Sequence, residues 1–256
     1  MDLGLKGRKA IVCASSRGLG KGCAVALARE GCDVVVNGRD ADTLSRTADD
    51  IRRETAATVT EVAGDVSDPA VQSKLLEACP APDVLINNNG GPPRTDYTEL
   101  DRDAMIRGVV QNMVTPIELI QAVLPGMAER GFGRVVNITS LSVMMPIEGL
   151  DLSSAARAGL TAFLAGVCRT VAHRNVTVNA VLPGKMDTDR LRSGLEASSK
   201  RLGRDVAPEQ RDAIPAKRFG EADEFGAICA FLCSEQAAYI VGRNIVVDGG
   251  LYPSAF

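Results

Sequence analysis

The 256-residue chain has no tryptophan, three tyrosines and one histidine, His173. Its core must therefore rest on aliphatic side chains, and few phenols or imidazoles are on hand for acid–base work. No apolar run is long enough to predict a membrane-spanning helix, and the residues ahead of the first strand do not read as a secretory leader. The expectation is a cytoplasmic protein with no membrane partner. An excess of positive charge is also lacking. The 29 Lys and Arg face 32 Asp and Glu, for a formal net charge of −3. That leaves no footprint for nucleic acid. The seven cysteines are odd in number and form no Cys-x-x-Cys pair. They read as reduced, buried thiols, with no metal site. Internal repeats and low-complexity linkers are missing too, so a single domain over 1–256 is expected.

Short apolar runs recur at 10–13, 34–36, 58–62, 84–86, 135–138, 176–181 and 245–247. Helical patterns lie between them, clearest at 18–30 and 43–54. Continuous apolar strands alternating with helices predict a parallel sheet covered on both faces. The expected fold is α/β, a Rossmann doubly wound sheet of about seven strands. One stretch breaks the rhythm. Residues 188–221 are rich in charge and poor in strand signals, and read as a mobile lid over a substrate cleft within the domain.

Ser15-Ser16-Arg17-Gly18-Leu19-Gly20 falls between the first strand and the first helix. A helix N-terminus presents unpaired N–H groups and a positive dipole end, which suit phosphate. The two glycines let another group come close. Further blocks follow in order: Asp65-Val66, Asn87-Asn88-Asn89-Gly90, Asn112, Ser140, Pro183-Gly184 with Thr188, and Val247-Asp248-Gly249-Gly250. Together these motifs resemble the short-chain dehydrogenases/reductases, nearest their 3-oxoacyl-[acyl-carrier-protein] reductase branch. The resemblance spans nearly the whole chain. It departs at Cys13 and Ala14, where the family has Thr and Gly. It implies a cofactor site at Ser15, Ser16, Arg17, Gly18, Leu19, Gly20, Asp65, Val66, Asn88, Asn89, Gly90, Pro183, Gly184 and Thr188. It also implies a small-molecule substrate, possibly acyl-type, and assembly as a homodimer or homotetramer.

The second strand ends on Asn37, with Arg39 two residues on. An acid at that end holds the ribose 2′-OH of NAD and would repel a 2′-phosphate. Asn37, Arg39 and Arg17 therefore point to NADP(H) in preference to NAD(H).

The family's reaction uses a Tyr as acid, a Lys four residues later, a Ser and an Asn. Asn112 and Ser140 match the last two. The places of Tyr and Lys hold Ser153 and Arg157. Serine is too short and too weak an acid to replace the phenol. Arg157 can still bond ribose hydroxyls as a fixed cation. Other proton donors are open: Asp151 (or a helix N-cap), Lys185, Glu148 and, more remotely, Tyr97. Tyr239 reads as structural, His173 as a helix C-terminal cation, and Arg94 as a ligand for an anionic substrate group or a surface charge. Two functions follow. One is an NADP-dependent oxidoreductase acting on a carbonyl or alcohol through a non-standard proton donor. The other is a catalytically silent NADP(H)-binding sensor or oligomer partner.

Overall fold

A computed structural model describes residues 1–254. Seven strands form one sheet in the order β3-β2-β1-β4-β5-β6-β7. They are β1 Lys9–Val12, β2 Asp33–Gly38, β3 Val59–Ala63, β4 Val84–Asn87, β5 Gly133–Ile138, β6 Val176–Pro183 and β7 Asn244–Val247. Every neighbouring pair is parallel. Crossing back between parallel strands takes a helix-sized connection, and the chain supplies one each time. These helices are α1 Gly18–Arg29, α2 Ala41–Thr55, α3 Pro69–Ala78, α4 Arg102–Val109, α5 Thr115–Arg130, α6 Asp151–Val171, α7 Asp189–Leu202, α8 Ala207–Asp212 and α9 Ala222–Cys233.

Two cores follow from the period-two alternation of the strands. Ala10, Val12, Val34, Val36, Val84 and Ile86 face α1, α2 and α9 through Leu27, Ile51 and Phe225. The alternate residues Ile11, Val35, Leu85 and Val135 face α3, α5 and α6 through Leu75, Leu119 and Leu160. The doubly wound expectation is met. All seven cysteines are free and buried, in keeping with thiols used as small apolar side chains. Among the described residues, no helix is long and apolar enough to cross a membrane.

The strand order reverses between β1 and β4, which lie side by side. At such a reversal the loops leaving neighbouring strands diverge and open a crevice at the strands' C-terminal ends. The loop after β1 and the Asn88–Gly90 segment after β4 both border it.

Candidate active site

The loop after β1 is shaped by close packing. A Cβ on Gly20 would lie 2.3 Å from the Ala14 carbonyl oxygen, so only glycine lets α1 start against the loop. Ala14 itself sits at φ 46°, the left-handed region where the family resemblance expects glycine. Asp40, Asp68, Asp101 and Thr188 each cap the helix they precede. Arg17, by contrast, gives α1 no side-chain cap, and no acid lies in its first turn. The first N–H groups of α1 are thus left for an external acceptor.

Two side chains expected at the cofactor are instead spent on the scaffold. Ser15 Oγ is buried and donates to the Val12 carbonyl at 2.7 Å. Asn37 is buried as well. Its Oδ1 accepts from Ala14 N–H, and its Nδ2 donates to the Val62 and Gly64 carbonyls. Ser15 and Asn37 therefore lace β1, β2 and β3 together, and Asn37 acts at this strand end by being uncharged. Arg39 and Arg17 stay exposed beside it, with Arg17 3.6 Å from Asp189. Gly184 also has a packing reason, since a Cβ there would lie 2.6 Å from Asp248 Cβ. Thr188 accepts from Leu191 N–H as the cap of α7, and its methyl would stand 3.5 Å from a Cβ on Gly18.

After β4, Asn88 Nδ2 reaches the Ala14 carbonyl at 3.1 Å, tying the two crevice loops together. Asn89 Nδ2 bonds Ser67 Oγ and the Gln111 carbonyl, and its Oδ1 accepts from Gly90 N–H. Asp65 accepts from Ser67 N–H, while Val66 is buried. Beneath them runs a chain of amides that the sequence reading missed. Asn87 Nδ2 donates to Asn137 Oδ1, Asn137 Nδ2 to the Asn179 carbonyl, and Asn179 Nδ2 to the Ile240 carbonyl. An asparagine inside an apolar strand run was the available signal, because a buried amide must be bonded.

Asn112 lies in a π-turn, Val110–Val114, that joins α4 to α5. Its Nδ2 donates to the Gly108 carbonyl four residues back. The side chain so competes for an acceptor of the regular ladder, and the backbone widens until Thr115 N–H bonds the Val110 carbonyl. Asn112 Oδ1 and Thr115 Oγ1 remain buried without a partner. Both residues line one recess of about 20 Å³ with Asn88, Asn89, Val66 and Arg157. That volume holds one water, and the lining offers it enough polar partners.

Arg157, from α6, is buried at the floor of this site. Its Nε donates to Ser153 Oγ at 3.2 Å and its Nη1 to the Ile138 carbonyl at 2.7 Å. The guanidinium therefore fastens α6 to the end of β5, two residues ahead of Ser140. Burial, then the nearby Arg190, pulls its pKa down to about 10. Ser140 is half-buried, and its Oγ accepts from Ser142 N–H at 3.1 Å, leaving its own O–H to donate.

The other proton-donor candidates separate cleanly. Tyr97 is 74% exposed on a short turn, and Tyr239 is fully exposed, not a structural residue of this chain's interior. Asp151 is exposed and lies inside the first turn of α6, whose cap is Leu150. Glu148 is exposed, and its carbonyl accepts from Arg94. His173 sits in the turn that ends α6. Lys185 Nζ donates to Gln210 Oε1 at 2.7 Å, and burial, then Arg94, lowers its pKa. The charged 188–221 stretch folds as α7 and α8 with their connecting loops.

The doubly wound sheet, with an uncapped helix at its switch point, defines a Rossmann-type α/β protein. The relatives narrow the class. Residues 13–252 match the family model described as enoyl-(acyl carrier protein) reductase. The 3-oxoacyl-[acyl-carrier-protein] reductase FabG of Pseudomonas aeruginosa is 32% identical over 98% of this chain and all of its own. The NADPH-dependent reductase BacG of Bacillus subtilis is 34% identical over 95% of this chain and 97% of its own. The crystal structure of YwfH, an NADPH-dependent reductase involved in bacilysin biosynthesis, superposes with a TM-score of 0.92 at 33% identity, covering 97% of this chain and all of its own. The chain belongs to the short-chain dehydrogenase/reductase family.

Proposed function

We propose that this protein is an NADP(H)-dependent reductase that moves hydride between nicotinamide and a carbonyl or alcohol, with a proton source other than a tyrosine. The observation that carries this reading is the polar recess lined by Asn112, Thr115 and Arg157, where Asn112 Oδ1 and Thr115 Oγ1 are buried without a protein partner.

The residues present fit the cofactor. The uncapped N-terminus of α1 suits a pyrophosphate, and Arg17 and Arg39 suit a 2′-phosphate at a strand end that carries no acid. A relative and a solved structure described as NADPH-dependent point the same way. When bound, NADPH supplies the hydride. Ser140 O–H holds the substrate oxygen. The Arg157 cation stabilises negative charge that develops there, in a site partly shielded from water. Ser153 takes its hydrogen bond from Arg157 and is too short and too weak an acid to stand in for a phenol. A water delivers the proton, along a path that takes in the Asn112–Thr115 recess.

Fluorescence titration with NADPH and NADH, followed by loss of reduced-nicotinamide absorbance over a carbonyl panel, tests the reading. NADPH is expected to bind more tightly, and Arg39→Ala to cost about tenfold for NADPH alone. Turnover supports the enzyme. Tight binding without turnover on any substrate selects the silent alternative, and absence of NADPH binding overturns both.

A further inference from the structure

Three cations, Arg94, Lys185 and Arg190, border the loops after β4 and β6, and the buried Arg157 lies behind Arg190. Arg190 Nη1 donates to the Gly91 carbonyl at 2.7 Å and Nη2 to the Pro92 carbonyl at 2.9 Å. Arg94, two residues beyond Pro92, donates to the Glu148 carbonyl. Lys185 is held by Gln210 and Arg157 by the Ile138 carbonyl. Among the described residues, none of the four forms an ion pair. Of the acids on these segments, Asp187 pairs with Arg192 at 2.8 Å and Asp189 with Arg17, while Glu148 and Asp151 are exposed and form no ion pair among the described residues.

The four also repel one another. Arg190 disfavours the charged form of Arg157, and Arg94 disfavours those of Arg190 and Lys185, in each case after burial. Like charges braced by neutral carbonyls from separate segments are costly when left alone. An anion arriving among them relieves the repulsion. The carbonyls fix direction as well. Arg190 spends both Nη groups on the loop and leaves its Nε edge free.

We propose that Arg94, Lys185 and Arg190 form a subsite for an oxyanion carried by the substrate, a carboxylate or a phosphoryl group. The proposal rests on the reading of this cleft as the substrate site. It narrows the substrate class from a carbonyl or alcohol to a small acidic carbonyl compound. Asn112, Ser140 and Arg157 then face the reacting end, and the three outer cations hold the anionic tail.

Calorimetric titration of the full chain, with and without saturating NADPH, tests this with hexanoate, hexyl phosphate and methyl hexanoate. An anion is expected to bind at least about tenfold more tightly than the ester, and to lose that advantage at high salt. The tighter of the two anions identifies the source of the oxyanion. Arg94→Gln and Lys185→Gln should each shrink the anion-to-ester ratio. They carry the test even if Arg190→Gln unfolds the loop it braces. Equal binding of anion and ester, no binding of either anion, or an unchanged ratio in both variants overturns the subsite. So does a loss confined to NADPH affinity, which would give these cations to the cofactor's phosphates. Because the ratio is also read without NADPH, failure of the cofactor reading leaves it measurable.

Discussion

Burial governs the residues at the centre of this site. The pKa of Arg157 falls to about 10 because the guanidinium has left water, and Arg190 adds to the effect. That value approaches the roughly 10.4 of an ordinary lysine, so burial brings Arg157 close to the residue whose place it occupies. The cation exists below that pKa and is lost as pH rises through it. We therefore expect kcat/KM to stay level between neutrality and about pH 9, then to drop above about 10. Arg157→Met should lower it throughout and abolish the step, as a pH–rate series would show. Ala14 offers a separate test in stability. Its left-handed backbone costs on the order of 1–2 kcal/mol, and a glycine there loses about 0.5–1 kcal/mol through chain entropy. Ala14→Gly should therefore gain up to about 1 kcal/mol by urea denaturation, where most Ala-to-Gly changes destabilise. The residue types of the site were legible from the sequence. Their directions were not. Asn37 stands at a strand end and so looked like a cofactor ligand, yet three internal hydrogen bonds consume its amide. Only the register of β2 against β3 reveals those acceptors.

The helices show how far pattern reading reaches at the scale of the element. Apolar runs announced the strands and helical patterns announced α1 and α2, because both signals are local. The π-turn at Asn112 was hidden, since apolar residues continue on either side of it. Its cause, a side chain taking a backbone carbonyl, leaves no periodic trace. The 188–221 stretch was visible as charge, but its division into α7 and α8 depends on tertiary anchors such as Arg190 on Gly91 and Lys185 on Gln210. We propose that this segment closes over the cleft, with hydrogen exchange slowed by NADPH in α7 as the expected readout. At its far end Arg218 grips Glu224, which also accepts from Glu221 N–H at the start of α9. These bonds hold the Glu224 carboxyl down at about 2, from an ordinary 4.5. A folded-state pKa below the unfolded value means stability present above about 4.5 and lost as pH falls toward 2. Glu224→Gln should thus melt lower than wild type at pH 7, with the gap closing at pH 3 in thermal scans.

For the molecule as a whole, ligand linkage and association are the measurable consequences. NADPH at about 100 times its Kd should add roughly 2.7 kcal/mol, a rise in Tm of about 5–10 °C for a chain of this size. Met105, Ile106, Val109 and Val114 along α4 and its π-turn, with Phe163 on α6, remain exposed. Apolar side chains grouped in this way mark an association surface. A homodimer or homotetramer is expected by light scattering, and Ile106→Asp with Phe163→Asp should dissociate it. We propose that hydride transfer proceeds here without a phenolic acid, with Ser140 on the substrate oxygen and Ser153 outside the proton transfer. The decisive measurement is kcat/KM for NADPH oxidation in Ser140→Ala beside Ser153→Ala. A fall of about 10²–10³ in the first and little change in the second is the predicted result. Collapse of both to the same level would make Ser153 the acid and contradict the account.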